Sequence, residues 1–503
     1  MIGGPQRVPT RFPVSDEKYL LVCHCPDPKP PHATCLRQFS GLTEPSRLPN
    51  LKAIKIFQTM QNHASLLFAG AAIAFSMFIG APAANAENWP NWRGPQFDGS
   101  STETGYPAKF SKEDGVAWKC QLPGAGGSTP VVWDNSVFLT SVSEDGSGIV
   151  ALRIDAKSGK IIWSKQFSDE SMRDERSNTA GASAVTDGET VFFFTGSGDL
   201  AAYDFDGNQI WYRNIEKDYG QFAMQWTFSS TPQLAHGILY LQVLQRDVPV
   251  NGRGNTDGPI ESFILAMNPA SGETIWKHVR ENLAVQESKE AFSTPIPIVH
   301  ENREELLISG GDCLTSHDPK TGKELWRWGT YNPERIGHWR LVPTPTYGQG
   351  VVLVCGPKKS PVHAIEAGSD GNLPDSARLW VSEGKEVTAD VPTPLFYDGY
   401  FYVLNGNNKF LTCLHPNTGK VVWSTRIDAK TKIESSPTGV DGKIYFISQM
   451  GELFVYSAGT EGGTLLNSTL FGVSQSVNIR SSIVPANGSL YIRTDDHLYA
   501  VRK

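Results

Sequence analysis

Asp155-Ala156-Lys157-Ser158-Gly159-Lys160-Ile161-Ile162-Trp163 is one copy of a formula that returns as Asn268–Trp276, Asp318–Trp326 and His415–Trp423. The leading Asp or Asn caps its own turn, the glycine takes the left-handed position, and a tryptophan stands eight residues after the capping position. In a shorter copy the step from Asp204 to Trp211 is seven, and Trp380 follows a longer connection. Working outward, each copy is preceded by a small-residue step and an apolar run. The steps are Ser128-Thr129-Pro130, Ala182-Ser183-Ala184, Ser230-Thr231-Pro232, Ser293-Thr294-Pro295, Pro343-Thr344-Pro345, Pro392-Thr393-Pro394, Ser435-Ser436-Pro437 and Ser481-Ser482-Ile483. A tight turn follows each one, such as Asp187-Gly188, Asp398-Gly399, Asp441-Gly442 or Asn487-Gly488, and these are strong hairpin signals.

Four antiparallel strands per unit, repeated about every 43 to 54 residues, describe a propeller blade. The reading is an all-β, eight-bladed β-propeller of four-stranded antiparallel blades over residues 116–503. The third blade is stretched by a loop from Gln245 to Pro259. The last unit runs out at Leu498-Tyr499-Ala500-Val501, after its third strand, and a strand with its own tryptophan lies upstream at Val116–Cys120. The expectation is that this N-terminal strand completes the eighth blade and closes the ring, which removes an open sheet edge. The fourth-strand tryptophans are expected to dock between neighbouring blades.

Composition agrees with a packed β protein: 39% hydrophobic residues, 10% aromatics, and 48 Gly and 33 Pro spread over recurring turns. Ahead of the repeats, Lys52 and Lys55 precede an uncharged apolar run, Leu66 to Gly80, and the small-x-small step Ala84-Asn85-Ala86. This reads as a signal peptide over 52–86, cleaved before Glu87, with an uncleaved membrane anchor as the alternative. Residues 1–51, which hold Cys23, Cys25 and Cys35, read as a disordered leader or a misplaced start, and 87–115 as a lead-in. Residues 87–503 hold 37 Lys/Arg against 48 Asp/Glu, a net charge of −11. An acidic, exported, periplasmic or secreted protein without a basic cluster is a poor nucleic-acid binder. Cys120, Cys313, Cys355 and Cys413 read as buried small hydrophobes, with one or two disulfides as the alternative.

The D-x-x-[ST]-G-x-x-x-W spacing resembles the pyrroloquinoline-quinone (PQQ) repeat family across residues 89–503. The lead-in Trp89-Pro90-Asn91-Trp92-Arg93-Gly94-Pro95 is similar to the start of quinoprotein-like propellers of planctomycete-type bacteria. WD-repeat propellers match poorly. The resemblance implies one of three roles: a quinoprotein alcohol dehydrogenase with PQQ and calcium at the ring centre, a non-enzymatic lipoprotein that helps to assemble outer-membrane proteins, or a sensor domain fused to a kinase. The dehydrogenases use adjacent disulfide-bonded cysteines and a Glu/Asn/Asp calcium cluster with an Asp base, and no Cys-Cys pair or matching segment stands here. Kinase motifs are absent. The assembly lipoproteins carry a cysteine directly after the signal, where this chain has Glu87.

The reading is therefore a non-catalytic binding or scaffold propeller with no cofactor or metal expected. A divergent PQQ-dependent dehydrogenase, or a hydrolase using the central funnel, is the alternative. Candidate ligand residues fall in the connectors between blades: Arg176, Glu290, Arg335, His338, Trp339, Arg340 and Arg480. Arginine forks and an exposed indole suit a carboxylate, a phosphate or a carbohydrate. An ordinary solvated loop set, with Trp339 in a blade seam, is the competing reading. The capped-turn face reads as purely structural, and His317 and His338 as isolated histidines. The expected partner is a protein or a small polar or anionic ligand, with a membrane-associated complex possible and the chain itself a monomer.

Overall fold

The computed structural model describes residues 87–329, 331–472 and 478–503. The leader and the signal segment, and the part of the last connector before Asn478, lie outside the described residues.

Eight antiparallel sheets follow one another in chain order. The first blade is Val131–Trp133, Ser136–Val142, Ile149–Asp155 and Ile161–Ser168. The three inner strands of each blade are almost wholly buried, because both faces pack on neighbouring blades; the fourth alternates and meets solvent. The hairpin turns have the expected chemistry: Asp441 and Gly442 have φ of 50° and 69°, the left-handed pair that matches strand twist. In the eighth sheet Val116–Gln121 lies antiparallel to His497–Val501, with Trp118 opposite Ala500 and Cys120 opposite Leu498.

The recurring formula works between blades rather than within them. Trp118 Nε1 donates to Ala156 O at 2.9 Å, Trp163 to Phe205 O at 2.9 Å, Trp276 to Pro319 O at 3.1 Å, and Trp423 to Gly459 O at 2.8 Å. Each acceptor belongs to the turn of the following blade. The same indoles cover the turn glycines: a Cβ on Gly159 would stand 2.5 Å from Trp118, and one on Gly322 2.6 Å from Trp276. Glycine is thus required twice, by its positive φ and by the neighbouring indole.

Two departures from a uniform array stand out. Gly371–Leu373, from the long connection before Trp380, adds a parallel fifth strand to the fourth blade, with Gly371 opposite Trp326. Trp326 accordingly turns inward and donates to the buried carboxylate of Glu305 at 2.8 Å. The four described cysteines are free and buried, so they act as small hydrophobes.

The lead-in is the second departure, and it lies across the capped-turn face. Trp89 exchanges backbone hydrogen bonds with Val132, Thr186 N donates to Pro90 O, and Gly439 N donates to Gly99 O. Arg93, 1% exposed, donates to the carbonyls of Asp98, Pro394 and Pro437. Burial lowers its pKa to about 10. The segment crosses from the first blade to the seventh and puts Trp92 into the central channel.

Candidate functional site

The middle residue of each of the eight small-residue steps is a buried hydroxyl, and all but Ser482 line the channel. Thr129 N donates to Ser183 Oγ (2.9 Å), Ser183 N to Thr231 Oγ1 (3.1 Å), and Thr231 N to Thr294 Oγ1 (3.3 Å). Thr294 N continues to Thr344 Oγ1, Thr344 N to Thr393 Oγ1 and Thr393 N to Ser436 Oγ, each at 3.0 Å. Ser436 N donates to Ser482 Oγ (3.3 Å), and Ser482 N returns to Thr129 Oγ1 (3.0 Å). Every blade start is therefore tied to the next by one amide-to-hydroxyl bond.

Two residues before each hydroxyl, nearer the connector face, a second tier lines the channel. Around the ring it reads Gly127, Gly181, Ser229, Phe292, Val342, Val391, Glu434, Arg480. One arc is bare backbone, one is apolar, and one is an ion pair: Arg480 Nε lies 2.7 Å from Glu434 Oε2. The cavity has a volume of about 130 Å³ and shares Gly127, Ser177 and Arg480 with a polar cleft lined by Arg173, Asp174, Arg176, Asn478 and Asp495.

A second cluster forms around Trp226. The guanidinium carbon of Arg176 lies 5.3 Å from its ring centroid and that of Arg340 5.6 Å, both within cation–π range. Trp226 Nε1 and Arg340 Nη1 both donate to Glu287 Oε1, at 3.2 and 2.8 Å. Behind them Glu290, fully buried, accepts from Arg246 Nε at 2.5 Å and from Gln225 N at 3.1 Å. Burial raises the Glu290 carboxyl to about 7 against the lowering by Arg246 and the Gln225 amide. Beside this cluster lies a pocket of about 170 Å³ lined by Met172, Phe222, Met224, Trp226 and Phe228.

The structure thus brings Arg176, Glu290 and Arg340 together and places Arg480 on the channel wall. It leaves the rest of the Arg335–Arg340 run apart. Arg335 is exposed with φ of 49°, His338 is exposed, and Trp339 is half-buried with its amide donating to Ser288 Oγ at 2.9 Å. Trp226, Glu287 and Arg246 complete the cluster, and none of the three stood among the candidate ligand residues. The invariant Ser or Thr at the centre of each step was a visible signal for the channel ring.

His317 is not isolated, which is a further correction. Its ring lies 4.8 Å from that of His278, and with Glu324 the three offer ligand atoms within 4.8 Å of one another. Both Glu324 oxygens and both ring nitrogens of His317 already have partners. Arg327 Nε and Nη2 each sit 2.6 Å from the Glu324 oxygens, and His317 bonds Gly322 O and Thr315 Oγ1. Burial holds the His317 pKa down to about 3, with Arg280 adding to the effect, so its surroundings already disfavour another cation.

Comparison with known proteins fits this geometry. The family model described as outer membrane protein assembly factor BamB matches residues 102–241 and 261–503. Among solved structures, BamB from Moraxella catarrhalis superposes with a TM-score of 0.53 at 13% identity, covering 77% of this chain and 99% of that one. The quinohemoprotein alcohol dehydrogenase of Comamonas testosteroni gives 0.56 at 13% identity, covering 82% and 80%. A curated relative, the tetrathionate hydrolase of Acidithiobacillus ferrooxidans, is 22% identical over 242 residues, 48% of this chain, and the match spans only 43% of that protein's length. With its eight PQQ-type blades and a family match over most of its length, the chain belongs to the PQQ-like propeller family of outer membrane protein assembly factor BamB.

Proposed function

We propose that the chain is an exported, non-catalytic recognition propeller that binds a protein partner through its connector face, centred on Trp226. The observation that carries this reading is the approach of Arg176 and Arg340, from two separate connectors, to one half-buried indole. Trp and Arg are the residues on which interface energy concentrates, and the adjoining apolar pocket suits an inserted side chain. The description of the family as an assembly factor supports a protein partner, and a membrane-associated complex is in keeping with it.

The channel does not fit PQQ with calcium. Among the described residues its one lining carboxylate, Glu434, is paired with Arg480, and none of the four described cysteines lines it. At about 130 Å³ it is also smaller than the roughly 300 Å³ at which drug-sized ligand sites begin.

The test places a photo-crosslinking residue at Arg335, on the connector face, or at Lys157, on the capped-turn face, in the full chain expressed in its host. Adducts from position 335 that vanish with Arg176→Ala/Arg340→Ala support the reading, and adducts from position 157 alone overturn it. Reconstitution with PQQ and calcium is expected to give neither quinone absorbance nor dye reduction. If both appear, the dehydrogenase reading takes its place.

A further inference from the structure

We infer that the central funnel binds a compact carboxylate with an apolar body, at a site separate from the Trp226 cluster. The eight ring hydroxyls are 2–5% exposed as residues. Each oxygen already accepts one amide proton, whereas none of the eight hydroxyl protons has an acceptor among the described residues. Buried donors without acceptors are costly, so the lining calls for an acceptor-rich occupant.

The second tier supplies the rest of the shape. Arg480 uses Nε on Glu434 Oε2 and Nη1 on Asn478 O, at 2.7 and 3.5 Å, and its Nη2 has no acceptor among the described residues. A guanidinium with a spare donor suits a carboxylate oxygen. Phe292 stands opposite Arg480 around the ring, followed by Val342 and Val391, an apolar wall for a hydrocarbon or aromatic body. Gly127 and Gly181 leave the third arc without side chains. An ammonium head would find one lining carboxylate, Glu434, already paired with Arg480, whose guanidinium repels it. The volume, about 130 Å³, is several times the ~30 Å³ share of one water, which fits a small carboxylate.

The probe is 4-fluorobenzoate, followed by fluorine NMR with the whole protein. Wild type should show saturable broadening, and 4-fluorobenzamide should bind at least about tenfold more weakly. Arg480→Met should weaken 4-fluorobenzoate at least about tenfold. Gly127→Leu should abolish binding by filling the bare arc. An ideal Cβ at Gly127 meets only the Gly181 Cα, at 3.7 Å, so the backbone there accepts a side chain. If Arg480→Met fails to fold, Val342→Asp replaces it, setting a like charge against the ligand. No saturable binding by wild type, equal binding of the amide, or undiminished binding in folded Gly127→Leu overturns the inference. Arg340→Ala, at a residue that lines neither the funnel nor its adjoining cleft, should leave binding unchanged, and loss there would also overturn it by moving the site to Trp226.

Discussion

The amide of Ser482, at the start of the eighth blade, donates to the hydroxyl of Thr129, at the start of the first, at 3.0 Å. Seven other junctions use the same bond, so the place where the chain's last blade meets its first is held like the rest. Backbone amides that face an aqueous channel could take water instead, but these sit behind hydroxyl side chains and are buried. The ring therefore couples neighbouring blades at their innermost points.

Thr129→Val keeps the shape of the side chain and removes the acceptor. It should leave the Ser482 amide unsatisfied and lower stability by about 1–3 kcal/mol. Thr129→Ser keeps the oxygen and should fall clearly below that. Urea unfolding of both variants decides the matter: equal losses would mean that packing of the methyl, and not the hydrogen bond, does the work.

Trp118 offers a second test, since its indole lies on Gly159 of the first blade and its Nε1–H donates to Ala156 O. Trp118→Ala should cost about 3–5 kcal/mol as a large-to-small core change. Gly159→Ala acts from the other side of the same seam, forcing a Cβ into the indole at a φ of 72°. The two losses should be non-additive, because both disrupt one contact. Strict additivity in denaturant titrations would show that the residues are energetically separate. Removal of residues 87–122 takes the whole strand and should abolish cooperative unfolding.

The blades were legible because turn chemistry is local: Asp155, Gly159 and Trp163 sit within one stretch, and their spacing survives in the repeats. What the formula does was less legible, since Trp163 serves the turn of the following blade through Phe205 O. The ring hydroxyls were in plain view at the centre of each step, yet their meaning depends on the neighbouring blade. The Trp226 cluster follows no period at all. Its members come from different connectors, and loop conformation decides which of them turn inward. Density of charge along the chain favoured Arg335, whereas the fold turned Arg340 toward the indole and left Arg335 in solvent. His278 and His317 show the same limit: they lie on strands of adjacent blades and meet only after folding.

Glu290 should make stability depend on pH. Its folded pKa is raised to about 7 by burial, above the ordinary glutamate value, with Arg246 and Glu287 as the charged groups facing it. The folded state therefore binds this proton more tightly than the unfolded chain does. Stability from this group is complete below the unfolded pKa and is lost as pH rises through about 7. Glu290→Gln carries no such loss. Relative to wild type, the variant should gain on the order of 1–3 kcal/mol between pH 5 and pH 8. Parallel unfolding curves at the two pH values would show that Arg246 holds the carboxylate ionised throughout.

Arg93 is the remaining anchor to test, because one buried guanidinium joins the lead-in to two blades through Pro394 O and Pro437 O. Arg93→Met keeps much of the apolar stem and removes every donor. Charged hydrogen bonds contribute about 1.5–3 kcal/mol each, and removal leaves Pro437 O without its donor, while Pro394 O keeps Thr346 Oγ1 and Asp98 O keeps the Phe396 amide. The blades retain their own sheets and the ring of hydroxyl bonds, so the loss should appear first as local release of the lead-in. Trypsin should then cut after Lys109 and Lys112 well before the propeller unfolds. Wild type should resist, because Tyr106 and Phe110 are buried and Asn467 Nδ2 holds Phe110 O at 2.8 Å. Release would also withdraw Trp92 from the channel and enlarge it, so 4-fluorobenzoate should bind Arg93→Met more weakly than wild type. If Arg93→Met instead unfolds in one step with no early cleavage, the lead-in is integral to the cooperative unit rather than a segment laid across it.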